Sequence, residues 1–313
     1  VNIKELLNQP GGIRAPRVRG RVNLAYPSAI EAKYFSHLVD YVKRLRKVLD
    51  EQTGIFLPLI ESEVAAEKTI RQDAWPQDVM RMLSIIRKEF DVMKRAVGPL
   101  IEGVADEVSE FELRQWQSTM QKIVGIELYA AEPWLRDELQ AFTIQNVELI
   151  HKLTDDLASD VGTIVNSGFR AGKRHETIRN ELLGTNLEGL DHVPALRKVE
   201  NRAKLIARDQ VAKLNSELNH LRQEQVGLEL YVWRTSLDER VRASHDLLDG
   251  MYCKWDDAIV YSQDGVNWKP RTSSMFHGHP GEDYQCRCVA EPVFEIPERQ
   301  TRRGHEEGGE REQ

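Results

Sequence analysis

Leu228-Glu229-Leu230-Tyr231-Val232-Trp233-Arg234-Thr235 is the stretch that decides the fold. Its β-branched and aromatic residues have the make-up of a strand. Before it, apolar residues recur at helical intervals; after it, tryptophans, histidines, cysteines and turn residues replace the periodic stripes. The chain therefore divides near residue 228, and its class is α+β. A predominantly α-helical N-terminal two-thirds precedes a small C-terminal α+β module of short strands over 228–296.

Upstream, Ser28 and Glu31 have capping-box spacing, and Ile30, Tyr34, Leu38, Tyr41, Leu45 and Leu49 then form one stripe, predicting a helix over 28–52 interrupted by Gly54 and Pro58. After Pro76 a second stripe (Val79, Leu83, Ile86, Phe90, Met93, Val97) alternates steps of four and three and is closed by Gly98 and Pro99. That seam suits an antiparallel hairpin within a helical region over 28–130. A further helical part, 131–227, has a stripe from Leu135 to Ile164 with Gly168 as its stop, a short helix over 176–183 ended by Gly184, and a long helix from Pro194 to Gly227.

Residues 1–27 read as an extended basic arm, in which Arg14, Arg17, Arg19 and Arg21 are opposed by Glu5 alone and prolines and glycines break any periodicity. The arm is either a frayed terminus or a docking segment for a partner protein or DNA phosphates. Residues 297–313 lack aliphatic and aromatic side chains and read as a disordered tail. The chain has 313 residues, 41% hydrophobic and 30% charged, enough for about two domains and too polar for a membrane span. Without a signal-peptide pattern at residue 1, a cytosolic origin is the default expectation. Fifty acidic against forty-three basic residues give a net charge of -7, which argues against a protein that coats nucleic acid with its whole surface. We find no repeat, phosphate loop or dinucleotide-binding fingerprint.

The residues capable of chemistry concentrate after the strand: Asp238-Glu239-Arg240-Val241-Arg242-Ala243-Ser244-His245, then Asp249-Gly250, then His279-Pro280-Gly281 and Cys286-Arg287-Cys288. His245, His279, Cys286 and Cys288 supply the ligand types of a tetrahedral zinc site, with Cys253 and His277 as replacements. A C-x-C pair serves one metal only across a tight loop, because an extended strand points the two sulfurs to opposite faces. In the competing structural reading His245 bonds an acidic neighbour such as Asp249, and the cysteines are small buried residues. A Cys/His hydrolase would need a third orienting group and an oxyanion hole, which sequence does not locate. Arg234-Thr235-Ser236 alone is too little for an ADP-ribosyltransferase.

Taken together, Phe169-Arg170-Ala171-Gly172, Leu205 to Gln210, Gly227 with Tyr231 and Trp233, Asp238 to His245, Asp249-Gly250, and His279-Pro280 leading to Cys286-Arg287-Cys288 resemble the minor head, or head morphogenesis, proteins of tailed bacteriophages, the group related to phage Mu F protein. The resemblance runs from about Trp134 to Val293. It departs from the family at Ala207-Arg208-Asp209-Gln210, where Ala-Arg-Thr-Glu is usual, at Leu237, often Gly there, and in a longer loop before Cys286. The resemblance implies a non-enzymatic virion protein made in the host cytoplasm, located in the head near the portal vertex and taking part in procapsid assembly. Implied partners are the portal protein, the scaffold or major capsid protein, and packaged DNA, with no membrane required. It also implies a structural zinc on His245, His279, Cys286 and Cys288. The alternatives are an effector enzyme carried by the C-terminal module and delivered with the genome, or a DNA-binding internal head protein.

Overall fold

The structure, a computed structural model, describes residues 24–70, 75–124, 131–186 and 193–294. Arg14, Arg17, Arg19, Arg21 and the tail over 297–313 lie outside the described residues. Among the described residues six long or medium helices come first: α1 Ser28–Ile70, α2 Trp75–Lys94, α3 Val97–Val124, α4 Leu135–Arg170, α5 His175–Leu183 and α6 Ala195–Gln225. The module follows as β1 Leu230–Arg234, the single turn α7 Ala243–Asp246, β2 Tyr252–Lys254, β3 Val260–Tyr261, β4 Lys269–Pro270 and β5 Val289–Pro292. Among the described residues no helix is long and apolar enough to cross a membrane.

The stripes predicted from sequence are the buried faces. Tyr34, Leu38, Tyr41, Leu45 and Leu49 of α1, Val79, Leu83, Ile86 and Phe90 of α2, and Leu153, Leu157, Val161 and Val165 of α4 share one core that continues through Leu218 of α6. That core crosses residue 130 without a break, so α1 to α3 rest on the same apolar interior as α4 to α6. Polar pairs fix the packing of α1: Tyr34 donates to Asn146 at 3.0 Å, and Tyr41 and Thr154 share a hydrogen bond of 2.8 Å, all four groups buried.

Breakers at three places behave differently from their sequence reading. Gly54 and Pro58 do not end α1, which continues to Ile70 because Phe56, Leu57 and Ile60 are buried in the shared core and α5 pairs on both sides of the proline, Arg179 with Asp50 before it and His175 with Glu61 after it. Gly98 and Pro99 lie in the first turn of α3, where a proline's missing N–H has no helical acceptor to lose. Gly168 sits inside α4 as a contact residue, because a Cβ there would lie 2.6 Å from Ile178 Cγ1 of α5. The stop comes instead at Gly172, whose φ is +73°. Gly184 ends α5 in the left-handed conformation, as the sequence predicts. Glu31 does not fold back as a capping box, since its carboxylate accepts Tyr26 Oη and Arg208 Nε.

Strand β1 is the centre of an antiparallel sheet of order β2-β1-β5, with Tyr231 opposite Cys253 and Trp233 opposite Ala290. Strands β3 and β4 form a separate pair. Gly227, at φ +78°, turns the chain from α6 into β1. The sheet is fastened to α6 by Asn219 and Gln223, which both donate to the Ala290 carbonyl at 2.9 and 3.0 Å, and by Trp255 Nε1 donating to Gln223. The module's own core is small, built on Tyr231, Trp233, Leu248, Cys253, Cys286, Cys288 and Ala290.

Candidate metal centre

The strand places Tyr231 and Trp233 on one side of the sheet, and the chain after it is folded back over them. Asp249 makes that return possible: its Oδ1 accepts both the backbone N–H and the hydroxyl of Thr235, at 2.9 and 3.2 Å. Gly250, at φ +77°, then donates to the Trp233 carbonyl. The Asp-Gly pair is thus a clamp that positions α7, and α7 carries His245 into the module with 2% of its side chain exposed. Trp233 meets the imidazole edge-on at 5.5 Å, and Phe276 covers it at 4.8 Å.

The cysteines come from a turn, not a strand. Gln285 takes a positive φ of 55°, Cys286 N–H donates to the Asp283 carbonyl, and Cys288 N–H reaches back to Cys286 Sγ at 3.4 Å. Gly281 N–H donates to the same sulfur at 3.4 Å. This local curl removes the objection that a C-x-C pair faces two ways. Both sulfurs point at one nitrogen, with His245 Nδ1 lying 3.4 Å from Cys288 Sγ and 3.5 Å from Cys286 Sγ. One ligand atom from each of His245, Cys286 and Cys288 fits within 4.8 Å of the others.

The cluster supplies three of the four donors of a tetrahedral zinc site. With bonds of about 2.3 Å to sulfur and about 2.0 Å to nitrogen, the N···S edge of a tetrahedron is about 3.5 Å, close to both observed separations. The other imidazole nitrogen, Nε2, bonds the Asp283 carboxylate at 3.0 Å, the outer partner that orients a ligating histidine. Cys286 is prepared as a thiolate, pulled down to about 5 by the Cys288 thiol donating to it, against its own desolvation, and then by His245 and the two N–H donors. Cys288 is raised in turn by that same hydrogen bond and keeps its proton while the pair shares a single negative charge. Burial disfavours the charged form of His245, but the Cys286 sulfur and Asp283 outweigh it and raise its pKa.

His279 is not in this cluster. Its Nδ1 pairs with Tyr231 Oη at 2.9 Å, and the ring packs 5.1 Å from Trp255, which accounts for its burial-lowered pKa. Asp249, the expected acidic partner of His245, serves Thr235 instead, and Asp283 takes that place. Cys253 is buried opposite Tyr231, and His277 bonds the Thr272 carbonyl, so neither joins the cluster. A cavity of about 170 Å³ adjoins the three donors and is lined by Arg208, Ser236, Arg240, Arg242 and Arg287 among others.

Sequence reasoning missed the support of the loop by the helical body. Tyr34 bonds Asn146, Asn146 Nδ2 donates to Gln210 at 3.1 Å, Gln210 donates to Asp209, and Asp209 accepts the Gln285 N–H at 3.0 Å. This chain of polar groups runs from α1 to the cysteine turn. Arg208 adds a bond to Gln285 Oε1 while pairing with Glu31. The signal was the odd segment Ala207-Arg208-Asp209-Gln210, whose acidic and amide groups fall on the buried face of α6. Arg271 braces the other side, giving Nη1 to the Phe276 and Gly278 carbonyls.

Residues 159–291 match the family described as Phage Mu protein F like protein. A relative from Haemophilus influenzae, described only as an uncharacterized protein, is 32% identical over 174 residues, which is 55% of this chain and 33% of that protein. The chain thus spans about a third of the length of that curated relative. No solved structure matches the chain. The matched segment begins within α4 and takes in α5, α6, the sheet and every member of the His245, Cys286 and Cys288 cluster. Residues 159–291 are therefore a phage Mu protein F-like domain.

Proposed function

We propose that the chain is a non-enzymatic minor head protein of a tailed phage, which binds the portal protein at the portal vertex during procapsid assembly and stays in the head or leaves with the genome. The observation that carries this reading is the family match over residues 159–291. The helical body supports it by offering contact surface: Ile55 and Leu59 on α1, Met80 and Val92 on α2, and Ile144 on α4 are all large apolar side chains left exposed. Zinc held by His245, Cys286 and Cys288 is the structural part of the proposal, fixing α7 to the cysteine turn in a module whose own apolar core is small. The scaffold or major capsid protein would be a further contact in the virion, and packaged DNA a neighbour of the basic arm.

The test is co-expression of the full chain with the portal protein of its phage, followed by density-gradient sedimentation. Comigration with the portal oligomer is expected, and a chain confined to the top of the gradient would overturn the reading. A second reading, an effector enzyme in the C-terminal module, is favoured by the arginine-lined cavity of about 170 Å³ beside three metal-type donors. It predicts an activity that His245→Ala abolishes without lowering stability. Unfolding of the module by the same change would reject it.

A further inference from the structure

A second cavity, of about 520 Å³, lies where α4, α6 and the module meet. Its apolar wall includes Phe142 and Leu214, continued by the ring of His220 stacked on Trp255 at 4.0 Å. Three carboxylates open onto it, Glu138 from α4, Glu217 from α6 and Glu282 from the loop before Cys286. None of the three pairs with a cation among the described residues. The cavity's one lysine, Lys213, is already taken by Asp209 at 2.8 Å. His279, which also lines the space, has its charged form disfavoured by burial. Partial desolvation raises the Glu217 carboxyl; His220 opposes the rise, and Glu138, Glu282 and Glu224 add to it.

An apolar wall edged by carboxylates without a cation partner, one of which (Glu282) accepts the His279 N–H at 2.7 Å, is complementary to an arginine side chain, whose aliphatic stem packs while the guanidinium bridges carboxylates. The chain has such residues in its N-terminal arm, where Arg14, Arg17, Arg19 and Arg21 face a single acid, Glu5. The described chain starts close by. Ala25 accepts from and donates to Gln115 of α3, and Tyr26 Oη reaches the Arg208 carbonyl of α6. Nine residues of helix separate Arg208 from Glu217, about 14 Å at 1.5 Å per residue. Extended chain covers about 3.3 Å per residue, so Arg19 and Arg14 reach roughly 23 and 40 Å from Tyr26, enough to pass around α6 and enter the cavity. We infer that the basic arm docks its arginines in the carboxylate-lined cavity between α4, α6 and the module of its own chain, covering the joint of the helical body and the Mu F-like sheet.

The test uses the full chain with a benzophenone amino acid at Ala141, an exposed cavity residue. Irradiation is expected to join position 141 to residues 10–22 in a product of monomer mass, and the product should disappear in the R14Q/R17Q/R19Q/R21Q chain. No arm crosslink, or one found only in dimers, would overturn the inference. Limited trypsin digestion is the second measurement. Cleavage within the arm should be about tenfold faster in the E138Q/E217Q/E282Q chain, the change expected when docking of about 1.4 kcal/mol is lost, and equal rates would reject docking. Circular dichroism melts matching the unsubstituted chain establish that each variant is folded.

Discussion

Replacing Cys286 by serine separates a metal-stapled module from an ordinary buried thiol. Cys286 is 3% exposed, and its sulfur takes two backbone N–H donors and faces His245. If it is only a core residue, the change exchanges one small buried group for another, at a cost of about 1–3 kcal/mol. If it holds zinc with His245 and Cys288, removing one of three protein ligands forfeits most of the metal's contribution, on the order of 10 kcal/mol for small zinc domains. Packing against α6 through Asn219 and Gln223 retains part of the structure, so at least about 4 kcal/mol is the expected loss. The assay is urea unfolding followed by tryptophan emission, with and without a strong chelator, alongside metal content by mass spectrometry. The account expects one zinc per chain, a chelator effect in the native protein that is absent from Cys286→Ser, and little further loss when His245→Ala is added, because both changes remove one shared ligand set. His279→Ala should keep the zinc. Additive losses of about 1–3 kcal/mol per substitution, with no chelator effect, would refute the reasoning.

Leu237 sits at a positive φ of 54° with its side chain 75% exposed, so Leu237→Gly should raise stability by about 0.5–1 kcal/mol in the same unfolding assay. Gly168→Ala should lower it by about 1–3 kcal/mol, because the added Cβ would meet Ile178 at 2.6 Å, outweighing alanine's better helix propensity. Glu112 is fully buried and its carboxyl is raised by desolvation to about 8. Between its ordinary pKa and about 8 the folded chain holds a proton the unfolded chain releases, so stability should fall as pH rises through that window. Glu112→Gln should flatten that fall by on the order of 2–4 kcal/mol when melts at pH 5 and pH 8 are compared.

The helical stripes were legible because burial acts residue by residue: of the Val79, Leu83, Ile86, Phe90, Met93, Val97 series all are in the core except Met93, which packs against it half-buried. Strand β1 was legible from Tyr231, Val232 and Trp233, all buried in the sheet. Glycine and proline misled where packing between helices outweighed local preference, as at Pro58, where Leu57 before it and Ile60 after it are buried, and at Gly168, which is small because Ile178 lies against it. The helical reading of 28–130 takes in α3 without marking where it begins, since Gly98 and Pro99 carry the same letters at a helix start as at a stop. At the site, residue type and the family resemblance pointed to His245, Cys286 and Cys288, and also to His279, which is held by Tyr231 instead. Asp283 and Asp209 escaped notice because their roles depend on a turn at Gln285 and on a helix brought from 76 residues away.

The central claim is tested most directly by native mass spectrometry of the full chain mixed with the portal protein of its phage. The account predicts a portal oligomer carrying several copies of the chain, each heavier by one zinc ion. Portal and chain recorded only as separate species, at concentrations where each is folded, would contradict it.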